Sequence, residues 1–95
     1  MRRIVLAVTR ENADALLSGE RRVETRTRPP ARLPARAYLA VPREGIVGEV
    51  VLGEVAGRDA AGARMPVSAV KRYARPRPVA TYGLAKTPRS FRYVG

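Results

Sequence analysis

Large apolar side chains occupy every second position at the start of the chain. In residues 3–8 they alternate with other side chains, which predicts a first strand with one buried face. Residues 11–18 fit about two helical turns, with Thr9 as the N-cap and Gly19 at the end, where glycine adopts a left-handed conformation most easily. The helical positions expected to face inward are Ala13, Leu16 and Leu17.

The remainder of the chain consists of short strand-like stretches separated by proline and glycine. Strands are predicted for residues 21–27, 37–41, 46–55, 67–73 and 90–94. Between them lie a Pro-rich loop at 28–36, a loop at 59–62, a stop at Pro76 and Pro78, and a helical turn at 79–84. Gly48 and Gly53 interrupt the longest strand and indicate bulges or bends, as the closure of a small barrel requires. The order predicts one α+β domain over residues 1–95, with a mostly antiparallel sheet and the last strand packed against the first.

The charge of the chain limits the classes of partner. Nineteen Lys and Arg residues against eight Asp and Glu give a net charge of +11. Such a dense positive charge favours phosphate-bearing partners, nucleic acid first and an anionic membrane surface second. We therefore expect contact with nucleic acid.

Two missing residue types exclude several kinds of chemistry. The chain has no Cys and no His, so disulfides, thiol nucleophiles, His-based triads and Cys- or His-built zinc sites are excluded. The apolar run at residues 4–8 is shorter than an export segment, and no other stretch is long enough to cross a bilayer. We therefore expect a cytoplasmic protein with no metal, no cofactor and no membrane partner.

One carboxylate lies in an arginine-rich strand. Arg22, Glu24 and Arg26 occupy alternate positions, so their side chains share one face, with neighbours about 7 Å apart. In one interpretation Glu24 neutralises arginines on a solvated strand, where such pairs contribute only about 0–1 kcal/mol. In the other, the strand is the wall of a concave site, with Glu24 within reach of Arg26 or Arg21. The pattern alone leaves both open.

The same segment resembles the signature of a known family. Gly19, Arg21, Glu24 and Arg26 follow the predicted helix and match the G-x-K-x-x-E-x-R pattern of the ASCH domain, with Arg in the lysine position. Three later stretches are similar to the family's and fall in its order: AYLAVPREGIVGEVVLGEV, RMPVSAVKRYARPRPV and YGLAKTPRSFRYVG. The resemblance therefore covers nearly the whole chain.

ASCH domains are similar to PUA domains, so the resemblance implies a small PUA-like β-barrel with one short helix, after the first strand, at its mouth. It also implies a cleft, lined by the signature, that faces RNA or a modified nucleoside. The chain departs from the family pattern at Arg21 and at the loop 58–63, where many relatives carry an additional helix.

The first function that follows is an RNA-binding module that holds phosphates and an unpaired base in a basic cleft. The four tyrosines supply nearly all the aromatic surface on which a base could stack, because the chain has no Trp and one Phe. The residues assigned to RNA contact are Arg21, Arg22, Arg26, Tyr38, Arg89 and Ser90.

The second function is a small hydrolase, since some ASCH relatives are N4-acetylcytidine amidohydrolases and others are reported as ribonucleases. Its catalytic residues would be Glu24 as general base, with Arg21 or Lys71 stabilising the anion. Arginine keeps its charge and cannot replace a lysine that acts as a base. The amidohydrolase relatives also have a threonine where this chain has Glu24, and Thr25 is expected on the opposite face. These departures favour the binding module.

Overall fold

Seven strands and two short helices form the chain, and the computed structural model describes residues 1–95. In chain order they are β1 (Arg2–Ala7), α1 (Arg10–Ser18), β2 (Val23–Arg26), β3 (Ala35–Val41), β4 (Gly45–Leu52), β5 (Gly57–Asp59), β6 (Gly62–Arg77), a 3₁₀ helix (Val79–Tyr82) and β7 (Phe91–Val94).

Helix α1 begins and ends at the predicted residues. The hydroxyl of Thr9 accepts a hydrogen bond from the backbone N–H of Asn12 at 3.1 Å, which satisfies one of the free donors of the first turn. Gly19 ends the helix with φ of 83°, a left-handed conformation that glycine adopts without steric cost. The predicted inward face, formed by Ala13, Leu16 and Leu17, is buried.

The strands form one curled sheet in the order β2–β6–β4–β3–β1–β7, with β5 paired to β6. Strands β1 and β3 are parallel, and the other pairs are antiparallel. The last strand runs back along the first, from the Leu6–Phe91 pair to the Arg3–Val94 pair, as predicted. The fold is therefore α+β and mostly antiparallel, a half-barrel with one helix packed on it.

Strand β1 differs from the prediction of one buried face, because both of its faces are covered. Ile4 and Leu6 belong to the main core beneath α1. Val5, expected to face outward, is fully buried in a second cluster with Tyr38 and Tyr73. Two packed layers thus enclose β1, which explains its nearly continuous apolar sequence.

Strand β6 is longer than predicted and contains two prolines. It runs from Gly62 to Arg77 through Pro66 and Pro76. Its ladder with β4 is interrupted: Ile46 pairs with Arg77 and Gly48 with Arg72, so residues 73–76 form a bulge opposite Val47. Proline is tolerated at bulges and strand edges, where no ladder hydrogen bond is lost. The predicted stop at Pro76 is therefore a bulge within the strand.

Gly48 sits where strand and helix approach most closely. A Cβ at this position would lie 2.6 Å from the Lys71 carbonyl oxygen and 2.7 Å from Cδ2 of Leu17. A side chain there would push α1 away from the sheet, which accounts for a glycine inside a strand.

Candidate functional site

A cleft of about 730 Å³ opens between the end of β1, the first turn of α1 and strand β2. Strand β2 ends the sheet and pairs only with β6, so its other edge is free to border the concavity. The cleft is lined by Ala7, Val8, Thr9, Glu11, Asn12, Arg21, Glu24, Thr25, Arg26, Thr27 and Ala61. Thr25, expected on the opposite face, contributes to the wall, since successive residues of a free strand edge can both border it.

Glu24 is the buried charge of this cleft, with only 2% of its surface exposed. Arg26 donates from Nε to Oε2 of Glu24 at 2.6 Å. Asn12 donates from Nδ2 to Oε1 of the same carboxylate at 3.3 Å. Both carboxylate oxygens are therefore occupied, as a buried charge requires. The prediction that Glu24 lies in a concave surface within reach of Arg26 is confirmed.

Arg26 also joins two strands that share no backbone ladder. Its Nη2 donates to the carbonyl oxygen of Ala7, at the end of β1, at 2.8 Å. Because β2 and β1 lie at different positions of an open sheet, this side chain spans the gap that the backbone leaves. We call this junction the Arg26 seam.

Asn12 links Glu24 to the second signature arginine. Its Oδ1 accepts a hydrogen bond from Nη1 of Arg21, while its Nδ2 faces Glu24. The amide orientation suits both partners, because a guanidinium only donates and a carboxylate only accepts. Sequence reasoning missed Asn12. The available hint was its position in the first helical turn, where it is a weak helix former close to the cap.

The cleft is balanced in charge rather than basic. Its lining includes two arginines, Arg21 and Arg26, and two glutamates, Glu11 and Glu24, so its formal charge is zero. The prediction that the cleft itself is basic is therefore wrong. Arg21 already donates to Asn12 through Nη1, and Arg26 donates to Glu24 and Ala7 through Nε and Nη2.

The other predicted site residues lie at different places. Arg22 is exposed and donates to the carbonyl of Gly19 at 3.4 Å, beside the cleft but not in its lining. Arg89 lines a smaller cavity that shares residues 7–9 with the cleft, and the adjacent Ser90 accepts from the backbone of Ala7 through its carbonyl at 2.8 Å. Lys71 lines a separate cavity on β6. The structure thus places Arg89 in a cavity that adjoins the Glu24 cleft and leaves Lys71 outside that cleft.

Tyr38 is buried instead of offering its ring to a ligand. Its ring stacks on Tyr82, with centroids 4.2 Å apart, and its hydroxyl accepts from Nη1 of Arg3 at 3.2 Å. Tyr73 completes this cluster, whereas Tyr93 is 40% exposed. A tyrosine ring buries a large apolar area, and this chain has no tryptophan to do so. Three of the four tyrosines therefore belong to or pack against the second cluster.

A polar chain runs through this cluster to Glu49. Arg77 donates to the hydroxyl of Tyr82 at 3.0 Å, which lies 3.2 Å from the hydroxyl of Tyr73. Tyr73 in turn donates to Glu49 at 2.7 Å, and Arg36 pairs with the same carboxylate. Burial, together with these hydrogen bonds to Tyr82 and Glu49, raises the pKa of Tyr73 above its ordinary value. It therefore remains a donor.

The pKa of Glu49 predicts a pH dependence of stability. Burial alone would raise this pKa, but the hydrogen bonds from Tyr73 and Arg36 and the nearby cations outweigh it and lower the pKa. A carboxyl whose folded pKa is depressed stabilises the fold above its unfolded pKa, near 4.5, and loses that contribution as the pH falls through the folded value. Urea unfolding across this range should show a smaller loss on acidification for Glu49→Gln than for wild type.

Glu54 provides the control for this measurement, because it is exposed and makes no ion pair. Glu54→Gln should follow the wild-type acid limb. Parallel acid limbs for wild type and Glu49→Gln would contradict the assignment.

Neither helix is long and apolar enough to span a membrane. The side chains also form no group of three or more carboxylates that could hold a metal ion.

No family model and no curated protein matches the chain, but solved structures do. The ASCH protein from Zymomonas mobilis superimposes with a TM-score of 0.66 and 19% identity, over 98% of this chain and 87% of its own. A tyrosine-to-phenylalanine variant of that protein gives 0.68 and 19%, over 100% and 91%. A serine-to-alanine variant gives 0.66 and 17%, over 98% and 88%. The chain therefore has the ASCH fold, as the sequence resemblance predicted.

Proposed function

We propose that this chain, a single ASCH-type domain over residues 1–95, binds RNA and holds an unpaired base in the Glu24 cleft. The observation that carries the proposal is the ordered polar wall of the cleft, in which Arg21, Asn12, Glu24 and Arg26 fix one another. Prearranged donors and acceptors are what a binding site needs in order to read the edge of a base.

The balanced charge of the cleft suits a base better than a phosphate. A phosphate is anionic and would meet the carboxylates of Glu11 and Glu24 in the lining. A base is neutral and presents donors and acceptors side by side, which Asn12 and the threonine hydroxyls of the lining can match. No aromatic side chain lines the cleft, so the base would be recognised through hydrogen bonds rather than by stacking.

The exposed arginines beside the cleft suit the phosphates that flank the base. Arg21 and Arg22 follow α1, and Arg89 lines the smaller cavity that shares residues 7–9 with the cleft. Arginine binds phosphate through two parallel hydrogen bonds and keeps its charge at all physiological pH values. The net charge of +11 adds a long-range attraction to any nucleic acid.

A bulky side chain in the cleft should test the base site. Ala61 lines the cleft from the β5–β6 turn, whereas its neighbour Ala60 is exposed and does not line it. Ala61→Leu should weaken binding of a short single-stranded RNA about tenfold or more, as expected for the loss of one hydrogen bond to a charged group. Fluorescence anisotropy at fixed salt concentration measures this affinity.

Two controls accompany this titration. Ala60→Leu adds the same bulk outside the cleft and should bind like wild type. An RNA with abasic positions should bind wild type about as weakly as Ala61→Leu binds the unmodified RNA. Equal affinities of both leucine variants for the unmodified strand would refute the base site.

A hydrolase on RNA or on a modified nucleoside such as N4-acetylcytidine is the second candidate, and the buried carboxylate of Glu24 at the cleft favours it. Glu24 would act as general base and Arg21 would stabilise the developing anion. No lysine lines the cleft, so Lys71 has no part in this version. Mass spectrometry of products from a mixed RNA pool and N4-acetylcytidine decides between the candidates, since only the hydrolase converts them.

A further inference from the structure

We propose that the second half of β6 is a separate contact surface for the RNA phosphate backbone. This surface, the β6 basic strip, consists of Lys71, Arg72, Arg75 and Arg77. The inference rests on the proposed RNA binding, but it concerns a part of the molecule outside the Glu24 cleft, because none of these residues lines that cleft.

The strip lies on a free edge of the sheet. Strands β2 and β5 pair with β6 only as far as Pro66, and the backbone of Val67 still bonds to Arg22. Beyond this point β4 is the only neighbouring strand. From Ser68 to Arg77 every residue except Tyr73 is exposed, and six residue steps from Lys71 to Arg77 span at most about 20 Å. That length is enough to follow several nucleotides of an extended strand.

The four cations line one concavity beside the bulge at residues 73–76. In a regular strand, Arg72 would point away from Lys71, Arg75 and Arg77. Here all four line a single cavity of about 480 Å³. Four positive charges in one concave surface make a focused field for an anion.

The charges of the strip are largely unneutralised. The cavity lining contains no acidic residue. Asp14 lies 3.3 Å from Arg72 but is shared with Arg10, and Glu49, opposite Lys71 in the ladder, is taken by Arg36 and Tyr73. Lys71 and Arg75 form no ion pair. The strip therefore has cations without a carboxylate partner, whereas each arginine of the cleft lining already makes a hydrogen bond within the protein.

One guanidinium of the strip is held in place before any ligand binds. Arg77 stacks over the ring of Tyr73 at 3.8 Å and donates to the hydroxyl of Tyr82 at 3.0 Å. Both contacts reduce the side-chain freedom that binding would otherwise remove, and they leave other N–H groups of the guanidinium for a phosphate.

The composition of the strip favours RNA over a membrane surface. Segments that bind bilayers combine cations with apolar side chains that insert among the lipids. The aromatic residue of this cavity, Tyr73, is buried, and its remaining apolar members are Ala74, Pro76 and Pro78. Three of the four cations are arginines, which match phosphate oxygens in pairs.

The test is the salt dependence of RNA affinity in the double variant Lys71→Gln/Arg75→Gln. The slope of log affinity against log salt for a short single-stranded RNA should fall by about 1.4, because each phosphate contact contributes about 0.7. Arg2→Gln/Arg58→Gln is the matched control: it removes the same charge from exposed positions on β1 and β5 that line neither the strip cavity nor the Glu24 cleft. Its slope should stay within about 0.3 of wild type.

The outcomes separate this inference from the proposed function. An unchanged slope in the strip variant, or equal changes in strip and control variants, overturns the strip. A reduced slope in the strip variant alone supports it, even where Ala61→Leu leaves affinity unchanged and the base site fails. Wild type that binds phosphatidylserine vesicles but not RNA overturns both. Circular dichroism spectra identical to that of wild type establish that the variants are folded.

Discussion

Replacing Glu24 by alanine is expected to lower the free energy of unfolding by about 3 kcal/mol. Removing one partner of a buried ion pair leaves the other charge without compensation, and such losses measure about 3–5 kcal/mol. Arg26, only 19% exposed at its side chain, would lose its carboxylate, and Asn12 would lose its acceptor. We take the lower end of the range because Arg26 keeps its bond to Ala7. Urea unfolding at neutral pH measures the difference.

Two further variants serve as a control and as a test of the ion pair in this measurement. Glu54→Ala removes an exposed carboxylate without an ion pair and should change stability by no more than about 0.5 kcal/mol. The double variant Glu24→Ala/Arg26→Ala should be less destabilised than the sum of the single variants, since removing both partners leaves no stranded charge. Strict additivity would show that the pair contributes nothing as a pair.

Removing residues 88–95 is expected to abolish the folded state at room temperature. The deletion takes away β7 and leaves β1, which then pairs only with β3, with an unpaired edge. Phe91 packs against the main core and Val94 against the second cluster. Full burial of two such side chains would stabilise by about 3–6 kcal/mol. These two are partly buried and contribute less, but the deletion also removes the β1–β7 hydrogen bonds, so the total loss is comparable with the whole stability of a small domain. Circular dichroism during thermal unfolding would show no cooperative transition.

Two smaller changes to β7 serve as controls for the deletion of residues 88–95. Deleting Gly95 alone leaves every β1–β7 pair in place and should preserve the transition. Phe91→Ala should lower the free energy of unfolding by about 2 kcal/mol, less than for a fully buried Phe because the side chain is only partly buried. A truncated protein that melts like wild type would contradict the role given to β7.

Local rules predicted the elements of this fold well. Spacing and capping residues predicted the helix between Thr9 and Gly19. Alternation predicted that the last strand, β7, packs against the first, β1. Burial on both faces of β1 did not follow, because whether Val5 is covered depends on the tyrosine cluster formed by distant residues. The course of β6 through Pro76 did not follow either, since a bulge is set by the partner strand.

The candidate site was predictable only for the residues that share one strand. Glu24 and Arg26 were expected together, and they form an ion pair. Asn12 comes from the helix and completes the network only because α1 packs beside β2. The charge balance of the cleft was also hidden, because Glu11 joins the lining from the same helix. A net charge of +11 says nothing about which surface carries the excess.

The Arg26 seam makes occupancy of the cleft and stiffness of the barrel interdependent. The Arg26 guanidinium lines the cleft and also makes the hydrogen bond that joins β2 to β1. A ligand that accepts from the Nη2–H now bonded to Ala7 must displace that carbonyl, so part of its binding free energy would be offset by the loss of this hydrogen bond. A ligand that leaves the Arg26–Ala7 hydrogen bond in place adds its whole binding free energy to the stability of the folded state. Two ligands of equal affinity would therefore leave the protein with different rigidity. The ligand that displaces the Ala7 carbonyl loosens the contact between β2 and β1, and the ligand that preserves this hydrogen bond keeps the contact rigid.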